Sequence, residues 1–365
     1  MGAMRQSRVI ILLLSLPVAV PLITYTSLPL RPNGNVSPAH SSGAFLCSAE
    51  KLPESARQGC FQRRGSRSGL RLVGGALEGS EDQGNNGEVT VEVPHIPVVH
   101  MEERFCIISK PGGMLVHRNK EARPDDRIFL LQTLRNQLQK QIFLVNRLDR
   151  ATSGLMVIAF DPEACAAAQA ALASDAAEKE YVAFCRGRTP SRFECDRPLT
   201  DKFSKARTSR EARTSFQTLA WVQAMITQPY IPPPGAPEGP GAPKAGDPFT
   251  RALGVSIVAA VLHTGRHHQI RRHLQSQAHH LLGDTSYGKG RINAALRDAY
   301  GLPRLCLHAA RLSLPHPFSG ETLAFHQPLP ADLAAFLAAL PGAPAPAALD
   351  AMLLDAALRP PAAAL

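Results

Sequence analysis

Residues 146–155 form a polar stretch in which one aspartate, Asp149, lies between Arg147 and Arg150, directly ahead of an apolar run that predicts a buried strand. Positive charge on both sides of a carboxyl group favours its ionised form, so Asp149 is a candidate reactive carboxylate. The Thr-Ser-Gly sequence at 152–154 adds small side chains and a permissive backbone position where a ligand could approach closely. Taken alone, this stretch is more simply interpreted as a charged surface loop than as a reactive site. The remaining motifs make the reactive site the better interpretation.

A second candidate segment is the basic stretch 263–274. Ile270 and Leu274 are four residues apart and would share the buried face of a helix. Arg271 would then project towards whatever occupies a cleft, or towards solvent. A third candidate is Tyr181, which lies in a predicted strand with its side chain on the opposite face from its neighbour Val182.

Between residues 105 and 327 these residues fall into motifs that resemble the RluA-type pseudouridine synthase family, in the family's order. The detail of residues 271–293 is most similar to the TruC-like tRNA pseudouridine synthase branch. The motifs that carry the resemblance are Lys110-Pro111-x-Gly113-x-x-Val116-His117, Arg147-Leu148-Asp149-x-x-Thr152-Ser153-Gly154, Lys179-x-Tyr181, Thr264-Gly265-Arg266-x-His268-Gln269-Ile270-Arg271 and Leu307-His308-Ala309.

The resemblance implies an RNA pseudouridine synthase that isomerises a specific uridine in structured RNA, with tRNA favoured over rRNA. The N1–C1′ bond of the uridine is cut, the base turns within the site, and it is rejoined through C5. No atom is lost and no redox change occurs, so neither a cofactor nor a metal is expected. The resemblance gives Asp149 the role of nucleophile, Arg271 that of its basic partner, and Tyr181 that of the ring stacked on the uracil.

The same resemblance predicts the residues that contact substrate. Arg147 would occupy the space that the uridine vacates when it leaves its stack. One position departs from the family, which usually has His where this chain has Asn146. Because Asn keeps a hydrogen bond but carries no charge, we expect altered support of the loop rather than lost activity. The other predicted RNA-binding residues are Arg150, Thr152, Arg266, His268, Gln269, Arg272 and Arg291.

Two alternatives come from other functional classes. A non-catalytic RNA-binding protein of the same fold would be expected to lack Asp149, Tyr181 or Arg271, and all three are present. A hydrolase with paired carboxylates would need a second acid, for which Asp284 is the only candidate, in a sequence typical of a turn. His308 is predicted to be a buried structural histidine, and Lys110 and His117 to support the site from a neighbouring strand. The cationic surroundings of the other histidines argue against a zinc site.

Composition supports an RNA partner. The 365 residues contain 40 Lys and Arg against 30 Asp and Glu. Between residues 261 and 312 the excess is eight basic residues against two acidic ones, which suits a polyanion. Seven cysteines without a Cys-x-x-Cys pair argue against a disulfide framework and indicate a reducing compartment. A monomer is the default expectation.

The elements that would position these residues predict an α+β fold on a mixed or antiparallel sheet, with flanking helices and a central cleft. Strands are predicted at 89–93, 105–108, 157–160, 180–185, 214–222 and 255–263, and helices at 128–141 and 162–174. We expect the Pro/Gly-rich insertion at 228–247 to be a long disordered hairpin tip.

The chain is predicted to have three parts. Residues 1–90 read as a targeting leader with a signal-like apolar segment at 9–23, residues 91–340 as the catalytic domain, and residues 341–365 as a loose Ala/Pro-rich tail. The leader predicts that the protein is sent to an organelle, either a plastid or a mitochondrion. A cytoplasmic protein, or one tethered to a membrane by the apolar segment, is the alternative, and no stable membrane association is expected of the mature domain.

Overall fold

The computed structural model describes residues 93–118, 128–200, 208–235 and 242–355. The predicted leader, and all of the predicted strand at 89–93 except Val93, lie outside this part of the chain. Among the described helices, none has the length and apolar character needed to cross a membrane. The five cysteines that the structure describes are free thiols, as the absence of a disulfide framework in the sequence predicted.

The described residues form a mixed sheet of ten strands with helices packed on both of its faces, which confirms the predicted α+β fold. The main path runs β1-β2-β4-β11-β5-β10-β9-β6, with β12 paired to β11 and β3 to β4. Neighbouring strands are antiparallel except β4 and β11. The strands are β1 (Val98–Met101), β2 (Phe105–Lys110), β3 (Phe143–Leu144), β4 (Ser153–Ala159), β5 (Glu178–Arg186), β6 (Arg192–Cys195), β7 (Leu199–Thr200), β8 (Ser209–Arg210), β9 (Thr214–Pro229), β10 (Pro248–Leu262), β11 (Leu307–Pro315) and β12 (Thr322–His326).

Six helices accompany this sheet in the described residues. They are α1 (Leu130–Leu138), α2 (Pro162–Ala173), α3 (Gln269–Ser276), α4 (Gly290–Tyr300), α5 (Ala331–Ala339) and α6 (Pro346–Leu354). The predicted start of α2 is confirmed, because the Asp161 side chain accepts a hydrogen bond from the Ala164 backbone N–H and proline occupies the first helical position.

Alternation along β5 separates two cores. Val182 packs with residues of β9, β10 and helices α4 to α6 on one face of the sheet. Ala183 packs on the other face against Ile270 and Leu274, which share the buried side of α3 as predicted. Because Tyr181 contacts this second cluster, its side chain lies on the same face of the sheet as α3. The fold therefore brings β5 and α3 together on one face.

The bounds of helix α1 and of the insertion at 228–247 differ from prediction. Helix α1 is shorter than 128–141, because Phe129 is extended and bridges Leu115, while Gln139 adopts a left-handed conformation (φ 52°) that ends the helix. The insertion at 228–247 does join the two strands of a hairpin, but Gln228 and Pro229 belong to β9. Residues 236–241 lie outside the described part, so disorder at the tip stays a prediction.

The expectation of a loose tail is wrong for residues up to 354. Helix α6 occupies 346–354, and Leu349 and Leu353 are buried in the core against α5 and β9. The Ala/Pro-rich composition concealed two leucines at helical spacing, which are enough to dock one face of a short helix. The folded core therefore continues beyond the predicted boundary at 340.

Replacing Leu349 by Ala should lower the free energy of unfolding by about 2–5 kcal/mol, because the side chain is 0% exposed and its loss leaves a cavity. Chemical denaturation of the full chain measures this change. The matched control is Ala348→Ser, an exposed position on the same helix, for which we expect a change within about 0.5 kcal/mol. Equal stability of the two variants would show that α6 is not part of the cooperative core.

Candidate active site

A cavity of about 1260 Å³ opens on the face of the sheet that carries α3. Its wall includes the three predicted catalytic residues, Asp149, Tyr181 and Arg271, which are far apart in sequence. Asp149 comes from the loop before β4, Tyr181 from β5 and Arg271 from α3. The structure thus assembles in one place a carboxylate, a phenol and a guanidinium.

The loop that carries Asp149 is fastened to the sheet by a buried lysine. Lys110, at the end of β2, is 0% exposed, and its Nζ donates to the carbonyls of Pro111 (2.7 Å), Arg150 (3.1 Å) and Thr152 (2.9 Å). Burial lowers the pKa of this ammonium to about 7. The prediction that Lys110 supports the site is therefore confirmed.

A glycine and an amide complete the attachment of this loop. Gly154 has φ 111° and lies so close to β11 that an added Cβ would come 2.2 Å from the carbonyl oxygen of Ala309. Asn146, in the place of the family's usual His, accepts a hydrogen bond from the backbone N–H of Val157 (3.0 Å) through its Oδ1. The Asn146 side chain therefore ties the loop to β4 without carrying a charge.

Arg271 links two carboxylates. Its Nη1 donates to Asp149 Oδ2 at 3.1 Å, while Nε and Nη2 donate to the two oxygens of Asp284 at 2.8 and 2.9 Å. Burial by itself lowers the pKa of Arg271, but the hydrogen bonds and charges of Asp284 and Asp149 outweigh it and raise the pKa. For Asp284 burial acts to raise the pKa, and the Arg271 guanidinium together with two backbone N–H groups brings it below its ordinary value. Arg271 and Asp284 are therefore both charged at neutral pH.

His268 is a second side chain that faces the Oδ2 atom of Asp149. It precedes α3 in a left-handed conformation (φ 53°), with Nε2 3.5 Å from Asp149 Oδ2 and Nδ1 3.2 Å from the Tyr287 hydroxyl. Burial lowers the pKa of His268 to about 4, against the opposing effect of the Asp149 charge. The imidazole is therefore neutral at physiological pH and contributes no positive charge to the cavity.

Tyr181 stands between two alanines. Its register partners are Ala260 on β10 and Ala309 on β11, whose small side chains leave room for the ring. Burial, and then the charge of Asp149, raises the pKa of Tyr181 above its ordinary value. The hydroxyl therefore stays protonated and can donate a hydrogen bond inside the cavity.

The predicted RNA-binding residues divide into two groups. Arg147, Thr152, Arg266 and His268 line the cavity, and the buried hydroxyl of Thr152 has no hydrogen-bond partner among the residues that the structure describes. Gln269 also borders it, but its amide bonds internally to Thr264, Arg266, Arg213 and Thr214.

Three of the predicted arginines do not line the cavity. Arg150 donates to the Gly113 carbonyl and Arg272 to the Thr200 carbonyl. Arg291 is exposed at the start of α4.

His117 does not support the site, contrary to prediction. It is exposed in a turn and lines a separate pocket of about 290 Å³ with Arg118 and Phe129. Part of the basic block 261–312 forms ion pairs within the protein. Arg271, Arg304 and Arg311 each pair with a carboxylate of the same chain. Local charge counts cannot separate such pairs from a surface that faces RNA, since two of the partner acids, Asp332 and Glu180, lie outside the block.

Sequence reasoning missed the part that Asp284 plays. Its sequence is indeed a turn, but the carboxylate is 2% exposed and holds Arg271. The available signal was one of only two acids in a basic block, directly after residues 281–283. Among the residues that the structure describes, no group of three or more His, Cys, Asp and Glu side chains could hold a metal ion.

The predicted structural role of His308 is supported by its contacts. It is 1% exposed, and its Nε2 donates to the Gln327 carbonyl at 2.9 Å. Because burial lowers the pKa of His308 to about 4, the ring is neutral, and its Nδ1 accepts from the Ser153 hydroxyl (3.0 Å), which itself accepts from Arg304 Nη2 (3.0 Å). This chain of hydrogen bonds connects β4 to β11 beside the Asp149 loop, and it requires a neutral imidazole.

Comparison with known proteins identifies the class to which this fold and site belong. The family model described as RNA pseudouridylate synthase matches residues 104–276. The tRNA pseudouridine synthase C of Haemophilus ducreyi is 34% identical over 229 residues, which cover 61% of this chain and 86% of that protein. The enzyme of the same name from Vibrio parahaemolyticus is 34% identical over 237 residues, 62% of this chain and 88% of its own length.

Two human structures, RNA Pseudouridylate Synthase Domain Containing 1 and Domain Containing 4, align with TM-scores of 0.46 and 0.47 at 22% identity. They cover 67% of this chain and 88% and 92% of their own. On the sequence relationships above, the chain belongs to the RluA-type RNA pseudouridine synthase family and is similar to its TruC-like members. It is therefore an isomerase that forms pseudouridine in RNA.

Replacing His308 by Gln should reduce the loss of stability in acid. Burial lowers the pKa of His308 to about 4, while an unfolded histidine titrates near 6.5. Between these values the unfolded chain binds a proton that the native protein does not. The unfolding free energy therefore falls as pH drops through this window, by roughly 1.4 kcal/mol per pH unit for this one group.

Denaturant titrations at several pH values between about 4 and 7 measure this slope. His308→Gln should have the shallower slope, and the control His117→Gln, at an exposed position, should match the native protein. If all three proteins lose stability in parallel, His308 is not a buried neutral group.

Proposed function

We propose that this synthase acts on a specific uridine of tRNA, with Asp149 as the nucleophile. The tRNA preference rests on the relatives named tRNA pseudouridine synthase C, which this chain matches over 86% and 88% of their length. The observation that carries the assignment of the nucleophile is the 3.1 Å hydrogen bond from Arg271 to Asp149 at the wall of the cavity. Asp149 is the carboxylate of that cavity that a buried arginine orients.

The proposed chemistry balances without a cofactor. The N1–C1′ bond of the uridine breaks, the uracil turns, and a C1′–C5 bond forms. The proton on C5 then leaves and N1 gains one, so the product is an isomer of the substrate. The carboxylate of Asp149 supplies the electron pair that carries the reaction through a covalent intermediate, and it is regenerated at the end.

The uracil must leave the RNA stack to enter the cavity, at a cost of about a few kcal/mol. Two side chains offset that cost in our proposal. Tyr181 provides a ring on which the uracil stacks, and its protonated hydroxyl can relay a proton. Arg147, exposed at the cavity wall two residues before Asp149, occupies the space that the base leaves.

The phosphates flanking the target uridine would meet cationic side chains. Arg266 and Arg213 line the same cavity as Asp149, and Arg147 is exposed beside it. Arginines at such positions hold and orient an RNA backbone without reading its bases. Arg150, Arg272 and Arg291 lie away from the cavity, so any contact they make with RNA would be with more distant phosphates.

The alternatives are less well supported by the geometry. A non-catalytic RNA-binding protein would have no use for a carboxylate, an arginine and a tyrosine in one cavity. A hydrolase with paired carboxylates would need Asp284 free, and both of its oxygens are engaged by Arg271. Independence from a cofactor, a monomeric state and an organellar destination stay predictions from the sequence.

Replacing Asp149 by Asn should abolish pseudouridine formation, because the amide has nearly the same shape but lacks the charged, nucleophilic oxygen of the carboxylate. We expect a fall in rate of at least about 10⁴-fold. The full-length protein would be incubated with a mixed pool of unmodified tRNA and rRNA transcripts, followed by site-resolved detection of pseudouridine. The proposal predicts conversion of a tRNA uridine.

Asp175→Asn is the matched control, because it removes one carboxylate from the wall of the same cavity at an exposed position. Its activity should equal that of the native protein. Conversion confined to rRNA would overturn the tRNA assignment, and an active Asp149→Asn variant would overturn the nucleophile. If the native protein bound RNA but modified none of it, the non-catalytic alternative would be favoured.

Replacing Tyr181 by Phe keeps the stacking ring and removes only the hydroxyl. We expect the rate at saturating RNA to fall by about 10²–10⁴-fold, with an unchanged half-saturating RNA concentration, because the proton relay is lost and the stacking surface is retained. Single-turnover kinetics separate the two quantities. The control is Tyr300→Phe, because the Tyr300 hydroxyl bonds to the Met225 backbone and does not line the cavity. Weaker RNA binding at a native rate would show that the hydroxyl serves binding instead.

A further inference from the structure

We propose that Asp284 is a positioning residue, which fixes the guanidinium plane of Arg271 and thereby the carboxylate of Asp149. This inference rests on the proposed function, since it takes Asp149 as the nucleophile. It adds a second carboxylate to the residues on which catalysis depends. This carboxylate contacts neither the substrate nor the reacting atoms, and it acts through Arg271.

The division of the Arg271 donors carries the inference. Nε and Nη2 form a bidentate pair with Asp284, and Nη1 alone reaches Asp149. A guanidinium is planar, so a bidentate partner on one edge sets the direction of the remaining N–H groups. The Nη1–H bond that orients Asp149 therefore has its direction set by Asp284.

Asp284 is itself held rigidly. Its Oδ1 accepts hydrogen bonds from the backbone N–H groups of Ser286 (2.8 Å) and Tyr287 (2.9 Å). Asn293 holds the backbone of the turn, accepting from the Gly283 N–H and donating to the Asp284 carbonyl, each at 3.1 Å. Gly283 has φ 74°, and an added Cβ would lie 1.9 Å from the Arg304 carbonyl oxygen. The turn is thus fixed against α4 and against the chain before β11.

The same turn also supports His268, the second side chain that faces Asp149 Oδ2. The ring of Tyr287 lies 5.1 Å from the Arg271 guanidinium, and its hydroxyl contacts His268, which in turn faces Asp149. Residues 284–287 therefore support both neighbours of Asp149. A side chain placed only to stabilise the fold would not need to be arranged around the nucleophile in this way.

Charge also matters. Arg271 is a single cation shared between two carboxylates, so Asp284 prevents Asp149 from taking the guanidinium in a bidentate pair of its own. Without the Asp284 charge, the guanidinium can turn and bind both oxygens of Asp149. The nucleophile would then be masked and displaced. Misplacement by about 1 Å in an active site can cost about 10²-fold in rate.

Asp284→Asn tests the proposal, because the amide oxygen can still accept the two backbone N–H groups of the turn while the charge is lost. The full-length protein would be assayed under single-turnover conditions with tRNA transcripts carrying 5-tritiated uridine, since tritium leaves C5 when pseudouridine forms. We expect the rate at saturating RNA to fall by about 10²-fold, with an unchanged half-saturating RNA concentration.

The matched control is Asp161→Asn. Asp161 also forms a bidentate pair with an arginine, Arg104, and also accepts a backbone N–H, but neither residue lines the cavity. The rate of pseudouridine formation by the Asp161→Asn variant should equal that of the native protein. A native rate for Asp284→Asn, or a loss confined to RNA binding, would overturn the proposal.

A double variant separates action through Arg271 from a general loss of structure. If Asp284 acts through the guanidinium, Asp284→Asn should cost little further rate in an Arg271→Lys background. Losses that multiply would overturn the proposal. Should Asp284→Asn fail to fold, Asp284→Glu keeps the buried charge and shifts the carboxylate by one methylene, and a native rate for that variant would equally overturn it.

Asp149→Asn is assayed in the same series so that the two levels of the argument remain separable. An active Asp149→Asn protein refutes the proposed function itself. An inactive Asp149→Asn protein together with a native rate for Asp284→Asn refutes only the positioning role of Asp284.

Discussion

A buried guanidinium shared by two carboxylates is the interaction on which the site depends. Arg271 is 7% exposed, and a cation in that position requires compensating charge and hydrogen bonds. Asp284 provides two hydrogen bonds and Asp149 one, which leaves Asp149 partly open to the cavity. Because the three residues come from a turn, a loop and a helix, the rest of the fold must bring those elements together.

The sheet meets that requirement through its strand order. β4 and β11 are the one parallel pair among the described strands, and the Asp149 loop enters β4 beside β11. Lys110 and Arg304 hold the loop through its carbonyl groups, while α3 packs its apolar side on the same face of the sheet. Backbone carbonyls, which every residue type has, thus carry much of the positioning, and the reactive side chains remain free for substrate.

Much of the fold and of the site was predictable from the sequence, because the signals lie in short stretches of neighbouring residues. The Asp161-Pro162 start of α2, the buried pair Ile270 and Leu274, and the position of Tyr181 follow from capping and periodicity. The roles of Asp284 and Arg304 do not follow from the sequence. A turn sequence, or a count of basic residues, does not show which distant residue completes an ion pair. Helix α6 was missed because two leucines gave a weak signal in an Ala/Pro-rich segment. The three predicted catalytic residues came from the family resemblance, and the structure shows how they meet.

The most direct measurement is a crystal structure of the Asp149→Asn protein bound to its tRNA substrate. Our account predicts that the target uridine lies outside the helical stack, with its uracil against the Tyr181 ring and its C1′ in van der Waals contact with the side chain at 149. Arg147 should fill the space left in the RNA, and Arg271 should keep its bidentate contact with Asp284. A target uridine that remains stacked, or that binds away from residue 149, would contradict the account.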